Sequence, residues 1–267
     1  MTRCARNGCR IQCPAVVTTF GLFGAFVDGR WYCSARCLER TLSERLSTLP
    51  PVSPAWVQGW LPVKLGTLLA RQAGLSAEAI TRALEIQSRS GVPLGQTLRM
   101  LGLITPEDLL RALATQAGVR YLTTVNPDVV AHQPGHLSHN TVRTLGIVPV
   151  AADAKRQELQ VACTAPIPGH AVRALSRLTT WAVEPLLVSD DTLPYLVNAY
   201  TSAGQRASSF EGAVCDARSG AATVARIARS LRSVKMRHER CDPYVWVRLE
   251  SPRLSADVLM ALAPAGR

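Results

Sequence analysis

Lys64-Leu65-Gly66-Thr67-Leu68-Leu69 begins a sequence unit of 24 residues that ends at Gln87, and Pro93-Leu94-Gly95-Gln96-Thr97-Leu98 begins a second that ends at Gln116. The two units align without gaps and are separated by five residues, Ser88–Val92. A repeat at fixed spacing indicates one supersecondary unit used twice. The middle of the chain is therefore predicted to contain two copies of one small helical motif.

Each unit has the pattern of two helices joined by a turn. A glycine lies near the predicted turn, and Ser76 and Thr105 are placed to cap the second helix of each unit. The stretch Thr105-Pro106-Glu107-Asp108 is a strong helix start, with a cap, a proline at the first helical position and acids in the first turn. We therefore expect helix–turn–helix in both units.

The doubled unit resembles the paired motifs in the N-terminal, MshEN-type domain of type II secretion and type IV pilus assembly ATPases. In the members of that family that bind cyclic di-GMP, the two motifs hold one dinucleotide. The resemblance runs over residues 62–201, so residues 62–117 would be the doubled motif and residues 118–201 an α/β subdomain. It implies that ligand contacts come from the following positions: Lys64, Leu65, Gly66, Leu68, Leu69, Leu84, Gln87, Leu94, Gly95, Leu98, Gly102, Leu113 and Gln116.

Three positions depart from the family pattern. The leading arginine is Lys64 in the first motif and Pro93 in the second, and a motif glycine is Ala73, with Gly74 displaced by one place. An arginine donates bidentately to a guanine edge or a phosphate, lysine offers a point charge, and proline offers no donor. Two interpretations stay open: the motifs retain cyclic di-GMP, or they are a degenerate copy that docks on proteins.

Five of the eight cysteines lie in the first 37 residues. Such clustering in a cytosolic chain favours a metal over disulfides. We predict a structural Zn²⁺ bound by Cys4, Cys9, Cys33 and Cys37, and Cys13 is an alternative to Cys4 or Cys9. Four thiolates close the coordination sphere and supply folding energy to a small module.

The segment between the cysteine pairs is expected to be a hairpin. Val16–Phe20 and Ala25–Val27 are rich in β-forming residues, and Asp28-Gly29 is a turn signal. Ser34 is placed to cap a helix that carries Cys37 in its first turn. Knuckle, hairpin and helix together resemble a treble-clef zinc module, which we assign to residues 1–48.

The predicted fold class is α+β: a zinc module, a helical doubled-motif subdomain, a small α/β subdomain and a short α/β tail. Leu159–Cys163 and Val183–Val188 are expected to be strands and Asp191–Tyr200 a helix. Residues 49–61, rich in proline, and residues 202–219 are predicted linkers. Residues 220–267 are expected to form a basic helix–strand–helix module, in which Tyr244–Leu249 is the strand and Ser255 caps the last helix.

The charge is concentrated at the two ends of the chain. The net charge is +11 over 267 residues; residues 1–50 hold seven basic and three acidic side chains, and residues 201–267 hold eleven and six. Basic ends are compatible with nucleic acid, with acidic partners or with a solvated surface. The alternative function is thus a nucleic-acid-binding regulator that uses its zinc module and tail, with the middle domain as a sensor or spacer.

Several functional classes are excluded or disfavoured. The sequence contains no Walker A loop and no standard catalytic motif, so we expect neither an ATPase nor another enzyme. The N-terminal arginines and the apolar run Ile11–Val27 are similar to a signal peptide, but the run contains Cys13 and Pro14 and lacks a cleavage site. We expect a cytoplasmic adaptor or regulator without membrane insertion, whose partners are secretion or pilus proteins.

Overall fold

The N-terminal region combines a small knuckle, a hairpin and a helix. The structure, a computed structural model, describes residues 1–19, 23–49, 63–131, 137–165, 167–202, 209–210, 215–231, 233–252 and 254–261. Ser34 caps α2 by accepting from the Cys37 N–H, as expected. The elements are β1 (Thr2–Arg3), β2 (Gln12–Cys13), α1 (Ala15–Thr19), β3 (Ala25–Val27), β4 (Arg30–Tyr32) and α2 (Ala35–Ser47).

The hairpin differs from the prediction in its first strand. β3 and β4 pair around Asp28-Gly29, and both residues have positive φ, as a two-residue hairpin turn requires. The strand predicted over Val16–Phe20 is wrong for Val16–Thr19, which belong to the short helix α1 (Ala15–Thr19), and Phe20 lies outside the described residues. Within this helix Thr18 donates its hydroxyl to the Ala15 carbonyl, so its polar group is satisfied without a sheet partner.

The doubled motif forms four helices, as the repeat predicted. Ser76 and Thr105 are the N-caps of the second helices, and Thr105 forms a reciprocal capping box with Asp108. Gly74 ends the first helix in the left-handed conformation at φ 66°. The helices are α3 (Leu65–Ala73), α4 (Ala77–Ser90), α5 (Leu94–Met100) and α6 (Pro106–Ala117).

The following subdomain is α/β, in agreement with the expected strands and helix. Its sheet has the order β5-β8-β7-β6, in which β7 and β8 run parallel and are joined by the crossover helix α9. Its elements are β5 (Arg120–Tyr121), α7 (Pro127–Ala131), α8 (His139–Leu145), β6 (Val148–Asp153), β7 (Glu158–Cys163), α9 (Gly169–Thr179), β8 (Ala182–Leu187) and α10 (Leu193–Ser202).

The C-terminal region is one helix and several strands. The predicted helix after Ser255 is wrong, because Ser255–Ala261 is a strand paired along its length with the preceding strand. Part of the predicted linker 202–219 is also ordered as two short strands and the helix start. The elements are β9 (Ser209–Phe210), β10 (Cys215–Asp216), α11 (Ala217–Leu231), β11 (Ser233–Cys241), β12 (Tyr244–Glu250) and β13 (Ser255–Ala261).

The two ends of the chain share one sheet. β11 pairs in parallel with β3, which extends the C-terminal strands into the N-terminal hairpin in the order β10-β13-β12-β11-β3-β4, with β9 also on β13. The Asp28 turn is held there, because the Met236 N–H donates to Asp28 Oδ1 at 2.8 Å. The zinc module and the tail, predicted as separate modules, are therefore parts of one structural unit, the terminal sheet unit.

Both faces of this sheet are covered. Alternate residues of β12 point to opposite faces: Val245, Val247 and Leu249 join a core with α2 and α11, whereas Trp246 belongs to the core of the α/β subdomain. The helical layer, the sheet and the α/β subdomain are thus stacked in that order.

Asp257 connects the sheet to the α/β subdomain. Its carboxylate is 3% exposed and accepts from the Ser138 N–H, from Trp246 Nε1 and from Arg248 Nη1. A buried carboxylate with this many donors is satisfied, and losing a partner would leave a charge uncompensated. This cluster fixes the start of α8 on β13.

One expectation falls almost entirely outside the described residues. The proline-rich segment predicted as a linker over 49–61 is described only at residue 49, and Trp56 and Trp60 are not described. Among the described helices, none combines the length and apolar character that crossing a bilayer requires.

Candidate functional site

Four thiols converge at the N-terminal knuckle. The sulfur atoms of Cys4, Cys9, Cys33 and Cys37 all lie within 4.8 Å of one another. The Sγ–Sγ distances are 3.8 Å for Cys9–Cys33, 3.5 Å for Cys33–Cys37 and 3.9 Å for Cys37–Cys9. Tetrahedral coordination with metal–sulfur bonds of about 2.3 Å separates the ligands by about 3.8 Å. The four sulfurs therefore have the spacing of a tetrahedral metal site.

Local structure positions each thiol. The Ala5 N–H donates to the Trp31 carbonyl at 2.8 Å, which attaches the knuckle to the hairpin. The Cys33 N–H lies 3.5 Å from Cys4 Sγ, and such donors stabilise thiolate charge around a metal. Helix α2 then places Cys37 one turn after Cys33, at the helix N-terminus, where the macrodipole favours an anion.

The pKa values of two cluster thiols shift in opposite directions. Burial raises the pKa of Cys33 to about 12, whereas a backbone hydrogen bond with Ile11 lowers the pKa of Cys9. A coordinated dication would lower the pKa values of all four thiols, so that they bind as thiolates, and its positive charge would offset the repulsion among them. These four residues can hold a metal, and Cys13 packs against the cluster but is not one of the four.

The two repeat units interlock rather than fold side by side. Helix α3 packs on α6, and α4 packs on α5, so each unit completes the other. Gln116 Nε2 donates to the Val63 carbonyl at 2.8 Å, and Gln72 Nε2 donates to Thr115 Oγ1 at 3.1 Å. The core between them contains Leu69 and Leu98, both 0% exposed.

Each motif glycine permits a close contact between helices of its own unit. A Cβ on Gly66 would lie 3.2 Å from Ile80 Cγ2, and a Cβ on Gly95 would lie 2.5 Å from Leu109 Cδ1. Gly66 and Gly95 are equivalent in the repeat, as are Ile80 and Leu109. The glycine therefore serves packing in both units.

A groove of about 460 Å³ opens over the first unit, which we call the first-unit groove. Lys64 stands at its edge with an exposed side chain, and Leu84 is 47% exposed. An apolar wall with one cation suits a ligand that has a flat apolar part and a negative group. The lining residues are Lys64, Leu65, Gly66, Thr67, Ala70, Ala77, Ile80, Thr81, Leu84 and Leu94.

The equivalent face of the second unit is covered by the chain itself. Leu110, which corresponds to Thr81, is 5% exposed in the core of the α/β subdomain, and Leu113, which corresponds to Leu84, packs against the same core. Arg99, which corresponds to Ala70, binds Asp191 at 3.1 Å. Among the residues that the structure describes, one motif face is therefore open and the other is occupied.

The predicted ligand positions divide accordingly. The groove brings together Lys64, Leu65, Gly66, Leu84 and Leu94. The remaining predicted positions do not line the groove. Three of them, Leu69, Gly95 and Leu98, are instead buried where the helices pack together. Those remaining positions are Leu68, Leu69, Gln87, Gly95, Leu98, Gly102, Leu113 and Gln116.

Several lining residues were not predicted from the sequence. Thr67 and Ala70 on α3 and Thr81 on α4 lie one helical turn or less from predicted positions, whereas Ala77 lies two turns before Leu84. Helical spacing could have predicted some of them. Residues three or four apart share a helix face, so Thr67 could have been predicted from Lys64 and Thr81 from Leu84.

Comparisons with known proteins give structural likeness only. No protein-family model matches the sequence, and no curated protein matches it. Twelve chains of solved structures match.

Three of these structures illustrate the likeness. A structure of MshE with cdg has 24% identity and a TM-score of 0.42, and covers 53% of this chain and 99% of its own. The N-terminal domain of XpsE, in two crystal forms, has 17% identity, TM-scores of 0.37 and 0.32, and covers 51% and 57% of this chain and 92% and 99% of its own. Since all three TM-scores are below 0.5, the geometry of the motifs has to support any functional conclusion.

Proposed function

We propose that this chain is a non-catalytic regulatory or adaptor protein, related to the N-terminal domains of type II secretion and type IV pilus ATPases, that docks on that machinery in the cytoplasm. The support is the motif pattern of residues 64–116 together with the helical pairs into which those residues fold.

One observation carries the proposal: within the described residues the first-unit groove is open, whereas the equivalent face of the second unit is buried against another subdomain. In the second unit this face packs on a folded partner within the chain. The first unit retains the same design, with Gly66 under Ile80 and an apolar wall that includes Leu84. A second partner or ligand is the natural occupant of that face.

Site-specific crosslinking in cells tests the docking function. A photo-reactive amino acid at Leu84 should crosslink to a component of the secretion or pilus machinery, and the same group at the exposed Arg156 of the β6–β7 turn should not. Absence of crosslinks at position 84, or equal products from both positions, would contradict the docking function.

Cyclic di-GMP is the second candidate, as a ligand of the first-unit groove. The observation that favours it is Lys64 at the edge of an apolar groove, because an ammonium group binds a phosphate as a point charge while leucines contact a base. Pro93 supplies no equivalent donor, and the second unit contributes Leu94 alone to the lining. We therefore propose a half-site, with weaker binding than two complete motifs would give.

Calorimetric titration tests this ligand at physiological salt, with cyclic di-AMP and GTP as controls. Selective binding of cyclic di-GMP should be lost in Leu84→Gln and retained in Leu103→Gln, since both leucines are exposed but Leu103 is not among the groove-lining residues. If cyclic di-GMP gives no heat at millimolar concentration, the groove is a protein-docking face only.

We propose Zn²⁺ as the ion of the four-cysteine cluster. All four ligands are thiolates, a donor set that suits Zn²⁺, and four protein ligands complete its usual coordination. Its task is structural, since the cluster attaches the knuckle to the hairpin that extends the terminal sheet. The sulfur geometry supports Cys4, Cys9, Cys33 and Cys37 over the alternatives with Cys13.

Native mass spectrometry checks the ion and its ligands. One zinc per chain is expected in the unsubstituted protein and in Cys13→Ser, and none in Cys9→Ser. Retention of zinc by Cys9→Ser together with its loss from Cys13→Ser would assign the fourth ligand to Cys13 instead.

A further inference from the structure

The outer helical layer of the terminal sheet unit is a basic surface made from both ends of the chain. Helices α2 and α11 pack against each other and share one apolar core on the same face of the sheet. Arg36 and Arg40 are exposed on α2, and Arg226 and Arg229 are exposed on α11. Spacings of four and three residues put each pair on one side of its helix. The two basic ends of the sequence thus meet in one layer.

These four guanidinium groups have no carboxylate partner within the described part of the chain. Arginines on the strands of the same unit behave differently: Arg237 binds Glu250, Arg240 binds Asp242, and Arg248 binds Asp257. Helix α11 has no acidic residue, and α2 has two, the half-buried Glu39 and the exposed Glu44, against three arginines. The outer layer therefore keeps an uncompensated positive charge.

The chemistry of this surface fits a polyanion backbone better than a folded protein or a bilayer. None of the exposed large apolar side chains in the described residues lies on α2 or α11. Protein interfaces are usually centred on buried aromatic or apolar anchors, and membrane-surface helices insert apolar residues. Phosphate backbones are bound by exposed arginines without such anchors.

We propose that the α2–α11 surface, through Arg36, Arg40, Arg226 and Arg229, binds the phosphate backbone of nucleic acid without sequence preference. The surface lies on the face of the sheet opposite the α/β subdomain and shares no residue with the first-unit groove. It adds a second interaction to the proposed docking function and does not depend on it.

Fluorescence anisotropy with the full zinc-loaded chain tests the proposal. The probes are a labelled duplex DNA of about 20 base pairs and a duplex RNA of the same sequence. With about four phosphate contacts, the affinity should fall about 100-fold between 50 and 200 mM salt. Binding of either duplex with this salt dependence supports the proposal, and binding of neither at 50 mM salt overturns it.

A charge-matched pair of variants locates the surface. Arg226→Ala/Arg229→Ala removes two exposed arginines from α11, and Arg82→Ala/Arg89→Ala removes two exposed arginines from α4. The first variant should lose at least tenfold in affinity at 50 mM salt and the second should bind as the unsubstituted chain does. Equal losses in both, or binding of phosphatidylserine vesicles in place of both duplexes, would overturn the assignment.

Discussion

The two repeat units have similar helices and different surroundings. Both place a glycine beneath an Ile or Leu and cap their second helix with a hydroxyl residue. They differ where Thr81 and Ala70 of the first unit are replaced by Leu110 and Arg99 in the second. Those two replacements convert an open face into one that packs on the α/β subdomain. A repeat therefore specifies a local structure, and a few outward positions decide whether its face is available for binding.

The largest expected difference between the units concerns Leu110 and Thr81. Leu110→Ala removes a side chain that is 5% exposed, and it should destabilise the protein by about 3 kcal/mol through lost burial and a cavity. Thr81→Ala should change the stability by less than about 0.5 kcal/mol, because Thr81 is exposed. Denaturant unfolding measures both, and equal losses would mean that the two faces are equally buried.

The second-largest difference in stability is expected between alanine substitutions of the two motif glycines. A methyl group on Gly95 would have to displace Leu109 from 2.5 Å, whereas one on Gly66 meets Ile80 at 3.2 Å. Alanine also gains about 1 kcal/mol of helix propensity at either site. We expect Gly66→Ala to leave the stability nearly unchanged. The Gly95→Ala variant should be less stable than the Gly66→Ala variant by about 1–2 kcal/mol, because its methyl group overpacks the contact with Leu109. Thermal unfolding of the two variants checks the order, which the opposite ranking would contradict.

The helix caps provide a smaller, pH-dependent contrast. Thr105 and Asp108 cap α6 reciprocally, whereas Ser76 caps α4 with one hydrogen bond to the Ala79 N–H. Thr105→Ala should therefore cost about 1 kcal/mol and slightly more than Ser76→Ala.

The sign of the pH effect follows from Asp108. Hydrogen bonds from Thr105 lower the pKa of the Asp108 carboxyl, so its contribution is present above the ordinary carboxyl pKa and is lost as pH falls through the lowered value. Unfolding measured at neutral and strongly acidic pH should show the excess cost of Thr105→Ala only at neutral pH. A pH-independent difference would mean that the Asp108 half of the box is not stabilising.

The Arg99–Asp191 pair is expected to have the smallest effect. Its atoms are 3.1 Å apart, but the Asp191 side chain is 70% exposed. A double-mutant cycle with Arg99→Ala and Asp191→Ala should give a coupling of about 0.5 kcal/mol that decreases with salt. A salt-independent coupling of several kcal/mol would show that this contact, rather than Leu110, attaches the second unit to the α/β subdomain.

Features that depend on neighbouring residues alone were predicted correctly from the sequence. The caps at Ser34, Ser76 and Thr105 and the turn at Asp28-Gly29 follow from short-range chemistry, and all are present. The strand at Ser255–Ala261 was missed because both of its faces are buried, so it shows no alternation of polar and apolar residues. Asp257, which resembles a solvent-facing position, instead lies in a buried cluster with Trp246 and Arg248.

Long-range arrangements could not be predicted in the same way. The pairing of β3 with β11 joins residues about 200 positions apart and leaves no periodic trace in either segment. Likewise, thirteen motif positions were expected at the ligand, and the sequence could not distinguish those that pack between helices from those that line a groove. That distinction depends on what covers each unit, which is a property of the tertiary structure.

The pairing of β3 with β11 also has a consequence for how the protein is made. A ribosome adds about 5–20 residues per second, so β3 leaves it about 10–40 s before its partner strand. During that interval the hairpin has an unpaired edge, while the metal cluster and the repeat units already have all their own residues. The hairpin edge on which the terminal sheet closes is thus made well before its partner strand, and the four-cysteine cluster has all its residues before the sheet can form.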